Sequence, residues 1–138
     1  MKAVGFLNSL PEEAPDSLMD VDLSTPELGP NDLLVAVHAV SVNPADAKRR
    51  VRTAVDRPHP SPFILGYDAV GPVESVGSGV SGFRRGDRVW YAGDANRPGS
   101  YAELQAVDHR ICLVRVRYWR VWRNWWMMAL SEQRKHVS

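Results

Sequence analysis

Cysteine, histidine and long apolar runs are all scarce in this chain of 138 residues, and each scarcity removes a class of protein. A single cysteine, Cys112, rules out an intrachain disulfide and any cysteine-rich zinc site, and it fits a reducing compartment. The four histidines, His38, His59, His109 and His136, show no paired spacing on a common element, so each reads as a surface or core residue. No stretch approaches the ~18 apolar residues of a membrane span. At the start, MKAVGFLNSLPEEAP holds an apolar run of only about five residues, too short for a secretory signal. A cytoplasmic setting is therefore expected. Tryptophan is nearly missing from the first 110 residues, where Trp90 stands alone.

What is present divides into two segments of opposite sign. Residues 1–110 carry 11 Lys and Arg against 15 Asp and Glu, while residues 111–138 carry 6 against 1. A total of +1 thus hides a net −4 and a net +5. The change falls between Ile111 and Cys112, where CLVRVRYWRVWRNWWMMALSEQRKHVS begins. The length suits one domain, and the apolar and charged content is that of a folded globular protein.

Along the first segment, short apolar runs alternate with turn residues. Lys2–Leu7 reads as a strand, Pro11–Asp16 as a loop, and Met19–Leu23 as a half-buried strand, because Met19, Val21 and Leu23 alternate with Asp20 and Asp22. Gly29-Pro30-Asn31-Asp32 supplies a turn. Leu33–Val42 is apolar on both faces and should be a well-buried strand. Asn43-Pro44 ends it and starts a short basic helix over Ala45–Arg52, since Asn caps well and Pro suits the first helical position. Arg57–Pro62 is a loop. Ile64–Val76 reads as one strand bent by bulges at Gly66 and Gly71. Strands over Arg88–Ala92 and Tyr101–Val107 complete a mostly β, partly open barrel with little helix.

Gly77-Ser78-Gly79-Val80-Ser81-Gly82 matches the G-x-G-x-x-G pattern of dinucleotide sites. That pattern works when the glycines join a strand to a helix, whose N-terminus meets the pyrophosphate. Here Phe83-Arg84-Arg85-Gly86-Asp87 follows, with a second turn where the helix should run, and then Arg88–Ala92 with strand character. The stretch therefore reads as a hairpin connection, its glycines serving positive φ angles.

Several stretches in order carry a family likeness: LVAVHAVSVNPADAK over Leu34–Lys48, PFILGYDAVGPVESVG over Pro62–Gly77, Gly86-Asp87-Arg88-Val89, and RPGSYAE over Arg97–Glu103. From Met1 to about Ile111 the chain resembles the GroES-like N-terminal domain of medium-chain dehydrogenases and reductases. It is most similar to the zinc-free quinone oxidoreductase branch and proteins labelled zinc-type alcohol dehydrogenase-like. The resemblance implies a GroES-like, partly open barrel over residues 1–110, to which a full-length relative adds a Rossmann domain holding NADPH. It implies reduction of quinones, enones or similar carbonyl substrates by hydride transfer. Carried over, the Asn-Pro-x-Asp stretch gives Asn43, Asp46 and Lys48 as the catalytic residues, with Asn43 also near the cofactor. Bland roles compete: Asn43 as a helix cap, Asp46 as a first-turn acid facing the helix dipole, Lys48 with Arg49, Arg50 and Arg52 as a solvated face.

In zinc-bearing relatives a Cys lies in the segment equivalent to Ser41–Lys48, and a Gly-His-Glu in that equivalent to Gly66–Asp68. This chain has no Cys in the first and reads Gly66-Tyr67-Asp68 in the second, so no metal site is expected. Asp68 is expected to hydrogen-bond backbone near the bend instead. After Ile111 the likeness stops and no Rossmann unit follows. A truncated or frame-shifted coding sequence is the simplest reading of residues 111–138, and the chain alone is expected to bind no NADPH and to catalyse little. A selected tail is the alternative. Trp119, Trp122 and Trp126 recur at helical spacing among Arg115, Arg117, Arg120 and Arg123, a pattern that could lie on an anionic membrane or stack on nucleic acid. Arg115 and Arg123 intrude on the Trp stripe, so neither membrane nor nucleic acid is expected as a partner. A homo-oligomer stays open. The competing function class is a non-catalytic interaction or oligomerisation module.

Overall fold

In the computed structural model, which describes residues 1–11, 13–53 and 59–114, alternation at the N-terminus produces the expected antiparallel pair. Lys2–Phe6 (β1) pairs with Met19–Asp22 (β2), and the acids of β2 face solvent. Phe63–Ile64 (β5) joins the other edge of β1, giving a three-stranded sheet. Beneath it the fully buried Phe6 packs against Phe63 and His59, with ring centroids 5.5 and 5.9 Å away.

The larger sheet is built on Asp32–Ala36 (β3), which lies between Asp68–Val76 (β6) and Leu104–Asp108 (β8). Arg88–Ala92 (β7) pairs with β6, and Cys112–Val114 (β9) with β7. Leu33, Val35, Ala69, Val73, Val89, Tyr91, Val107 and Cys112 share its buried face. Full burial of a Leu or Val side chain contributes about 1.5–3 kcal/mol, so this cluster holds the domain together. The Tyr91 hydroxyl donates to Gln105 Oε1 at 2.8 Å and Gln105 Nε2 to the Pro98 carbonyl at 3.0 Å, which satisfies this buried pair, while Ser100 Oγ and the Tyr101 hydroxyl are buried without a partner among the described residues. The two sheets touch through an Ala3–Ala102 bridge and do not close, so the barrel is partly open, as expected.

Three expectations shift. The run Leu33–Val42 is two strands, because Ala39–Val40 (β4) is exposed and separated from β3 at Val37-His38. At that break Val37 N–H donates to the Glu103 carbonyl and His38 N–H to that of Val70, so successive residues hold different neighbours. Ile64–Val76 is not one bent strand either: Gly66, at φ +101°, turns the chain from β5 in the small sheet to β6 in the large one. The bulge opposite β3 falls at Glu74 rather than Gly71, since Leu34 faces Ser75 and Val35 faces Val73. Gly71 instead lets β6 pass beneath the Ala36 carbonyl, which a Cβ would overlap.

The Gly77–Gly82 stretch lies in the connection of the antiparallel β6–β7 hairpin, with no helix after it. Of its glycines only Gly82 has positive φ, and Gly77 packs against the Gly29 and Pro30 carbonyls. The large sheet continues past the change in composition, since Cys112 is buried in its core. His136 and the Trp and Arg residues of the tail pattern lie outside the described residues.

Candidate functional site

Pro44–Arg52 forms a helix (α1), and the residues before it are shaped by the proline. A residue preceding Pro is pushed to extended backbone, and Asn43 sits at φ −121°, ψ 156°. The cap is a reciprocal capping box: the Asn43 side-chain oxygen faces the Asp46 backbone N–H, and Asp46 Oδ2 accepts the Asn43 backbone N–H at 2.8 Å. Asp46 Oδ1 accepts the Gly66 N–H at 3.0 Å. With 3% exposure, Asp46 therefore ties the start of α1 to the turn between the sheets. The nearby Tyr101 hydroxyl has its pKa raised, by burial first and by the Asp46 charge second.

The Asn43 amide has further contacts beyond the cap. Its Nδ2 donates to Ser41 Oγ and to Asp68 Oδ2, both at 2.9 Å, and Ser41 Oγ donates to Asp68 Oδ2 at 3.1 Å. Pairing of β4 with β6 brings the segments together, since Ser41 N–H also donates to the Asp68 carbonyl. The result is a nearly equilateral triangle of hydroxyl, amide and carboxylate. Asp68 thus takes side-chain donors, not the backbone donors expected of its carboxylate. Next to it Val42 is 79% exposed, an apolar side chain that no described residue covers.

Of the three expected site residues, Asn43 lies in this triangle, Asp46 supports it from beneath, and Lys48 is exposed on α1 without a bond to any described residue. The expected solvated arginine face is only partly so. Arg49 donates to the Ala95 carbonyl at 2.9 Å and lies over the Phe63 ring, and Arg50 donates to the Leu10 carbonyl, whereas Arg52 is exposed. Sequence reasoning missed the Ser41–Asp68 pairing. Its signal was there: polar residues unsuited to metal at two positions where the resemblance placed metal ligands.

A metal needs about three good donors, and here one carboxylate is bonded by a hydroxyl and an amide, with a tyrosine at position 67. Among the described residues no three His, Cys, Asp or Glu side chains come together to hold an ion. The donor set does not fit zinc. No strand–glycine–helix cradle for a dinucleotide's phosphates is found among the described residues either. A cavity of about 240 Å³ opens elsewhere, between Leu23, Pro26, Ile64 and Leu104. Of its polar lining residues, Arg97 and Gln105 are engaged by Asp32 and by Tyr91 and Pro98, and Glu27 adds a carboxylate. Among the described residues no helix is long and apolar enough to cross a membrane.

Residues 29–117 match the alcohol dehydrogenase GroES-like domain family. The chain is 39% identical over 108 residues to a zinc-type alcohol dehydrogenase-like protein of Staphylococcus epidermidis, covering 78% of the chain and 31% of that protein. It is 34% identical over 100 residues to the chloroplastic NADPH-dependent alkenal/one oxidoreductase of Arabidopsis thaliana, over 67% of the chain and 26% of the relative. Among solved structures, a Rhizobium etli alcohol dehydrogenase assigned as zinc-dependent aligns at TM-score 0.78 and 44% identity, over 85% of this chain and 33% of that one. A quinone oxidoreductase from Coxiella burnetii aligns at TM-score 0.72 and 31% identity, over 85% and 37%. The chain spans about a third of the length of the curated relatives it matches.

Proposed function

Because the chain belongs to the alcohol dehydrogenase GroES-like domain family, an oxidoreductase family, we propose that it forms the substrate-side domain of an NADPH-dependent reductase of quinones, enones or related carbonyl compounds. The domain set at residues 1–110 by composition takes in β9 as well, with residues 115–138 appended to it. The observation that carries the reading is the Ser41–Asn43–Asp68 triangle beside the exposed Val42. It occupies the two segments where zinc-bearing relatives place ligands, and it answers to a reaction that needs no Lewis acid. Bound NADPH supplies the hydride. Asn43 orients what lies against α1, Val42 keeps water from it, Asp46 holds the helix start in place, and Lys48 offers a cation at the rim. Because the described residues form neither a zinc site nor a phosphate cradle, the chain alone is expected to hold no zinc and little cofactor. Titrating the purified 138-residue protein with NADPH and following nucleotide fluorescence tests this. No saturable binding is expected, and tight binding would refute the reading of a domain that depends on a separate cofactor domain.

One observation favours a second reading, a non-catalytic interaction module. Ala39, Val70, Trp90 and Leu113 pair side by side across four strands on the outer face of the large sheet. Trp90 and Leu113 are 53% and 54% exposed. An apolar row of this kind marks contact with a second surface. Under this reading sedimentation shows a dimer that Trp90→Lys dissociates. Under the first it shows one species whatever residue 90 is.

A further inference from the structure

The cavity of about 240 Å³ lies where the two sheets part, and it shares no residue with the triangle. Tyr101 and Glu103 bond β1, through Val4 N–H to the Tyr101 carbonyl and Glu103 N–H to the Lys2 carbonyl. One residue earlier the pairing changes: Met1 turns to Leu23, which leaves β8 to run on alone. Space opens there between Leu23 and Pro26 on one side and Leu104 and Ala106 on the other, with Ile64 also in the wall. The polar groups around it are nearly all engaged within the protein. Asp32 holds both terminal nitrogens of Arg97, Gln105 bonds Tyr91 and the Pro98 carbonyl, and the Met1 ammonium donates to the Leu23 carbonyl at 2.6 Å. Water between such walls finds few partners, so an apolar molecule that displaces it gains. The exception is Glu27, whose exposed carboxylate no described residue bonds.

We propose that this cavity binds a neutral aromatic molecule of one or two rings that carries one N–H or O–H donor, the donor directed at Glu27. The size follows from the volume. An apolar cavity of about 150 Å³ takes up a benzene ring, so this one has room for a second ring. Neutrality follows from the mixed charges: a cation that gains at Glu27 loses at the Met1 ammonium and Arg97, and an anion does the reverse. A neutral donor satisfies the carboxylate without that conflict. Because Ile64 belongs to the small sheet and Leu104 to the large one, the occupant fills the opening of the barrel and joins its two halves. Binding to the folded state alone then raises stability by mass action. A molecule this small binds with a Kd on the order of 0.1–1 mM.

The test uses the full 138-residue chain, with indole and 1-methylindole as probes and the methyl NMR signals of Leu23, Ile64 and Leu104 as the readout. Indole is expected to shift these signals saturably and, at ten times its Kd, to raise the midpoint of thermal unfolding by about 5 °C. 1-Methylindole keeps the rings but has no donor, and it should bind about tenfold more weakly. In Glu27→Ala the two probes should bind alike to within about twofold. Leu104→Trp, which fills the space with a ring of its own, should abolish binding of both. Unchanged backbone signals away from β8 establish that the variants are folded, and the methyl mapping in the unaltered chain locates the site even if Leu104→Trp fails to fold. Methyl signals that do not move at millimolar indole, or shifts confined to Trp90 and Leu113, overturn the site. Indole binding undiminished in a folded Leu104→Trp does the same. Equal binding of the two probes by the unaltered chain overturns the part given to Glu27.

Discussion

Asp68 begins β6 and Asp32, in β3, lies beside its far end, and the two show how differently one fold uses the same side chain. Asp32 is closed. Arg97 grips both its oxygens at 2.9 and 2.7 Å, and the Gly29 N–H donates to Oδ2 at 3.1 Å. That grip lowers the Asp32 pKa, with the Arg97 hydrogen bonds the largest cause, and raises that of Arg97. Asp68 is open: one oxygen holds two neutral donors, and no described residue bonds the other. Asp46 falls between them, with both oxygens engaged by backbone N–H groups. All three link segments that are distant in sequence, Asp32 to Arg97, Asp46 to Gly66 and Asp68 to Ser41 and Asn43, but only the first two have both oxygens engaged. The open one lies where the chain is exposed, apolar and short of partners, which is where chemistry with another molecule can occur.

The contrast breaks most visibly at Asp32. Asp32→Ala should cost about 3 kcal/mol in urea unfolding, toward the low end for removing one partner of a buried pair because Arg97 is 31% exposed. A carboxylate whose folded pKa is depressed contributes stability above its unfolded value of about 3.9, and loses it as pH falls through the lower folded value. The gap between wild type and Asp32→Ala should therefore narrow below pH ~4, and a gap constant to pH 2 would remove the ion pair from the account. Next comes Gly66→Ala, which places a side chain at φ +101° against Ser100 and Tyr101 and should cost about 1–3 kcal/mol. Asp46→Asn, read in the same assay, should cost about 1–2 kcal/mol, because one amide oxygen replaces two acceptors and a backbone N–H loses its partner. Smallest is Asp68→Ala, expected within about 0.5 kcal/mol of wild type. A large loss there would make Asp68 as structural as Asp32 and erase the distinction.

How far the sequence could be read follows from which contacts are local. Alternation in Met19–Asp22 and the Asn-Pro start of α1 are decided by neighbours in the chain, and both elements form where expected. The break in Leu33–Val42 is decided by Glu103 and Val70, which hydropathy cannot see. Gly71 shows the same limit: its type announces that a side chain is unwelcome, but only the Ala36 carbonyl says why. At the site, Asn43 was legible from its motif. The Ser41–Asp68 partnership spans 27 residues and appears only once β4 lies on β6.

Cys112 carries one more consequence, for the order in which the protein can fold during synthesis. Its thiol is buried with Leu33 and Val89, and burial, ahead of the Asp108 and Asp32 charges, pushes its pKa up to about 12. The core face begun by Leu33 thus stays incomplete until β9 has left the ribosome. At about 5–20 residues per second, the roughly 80 residues between them take on the order of 4–16 s. Once residues 68–92 have emerged, β3 and β7 can each pair with β6, but one edge of β3 stays open until β8 is made and one edge of β7 until β9 is made, leaving Val35 and Val89 short of cover. The protein should therefore depend on chaperones most until β8 and β9 are made, and a pause in translation before residue 112 should lower its soluble yield more than a pause after it.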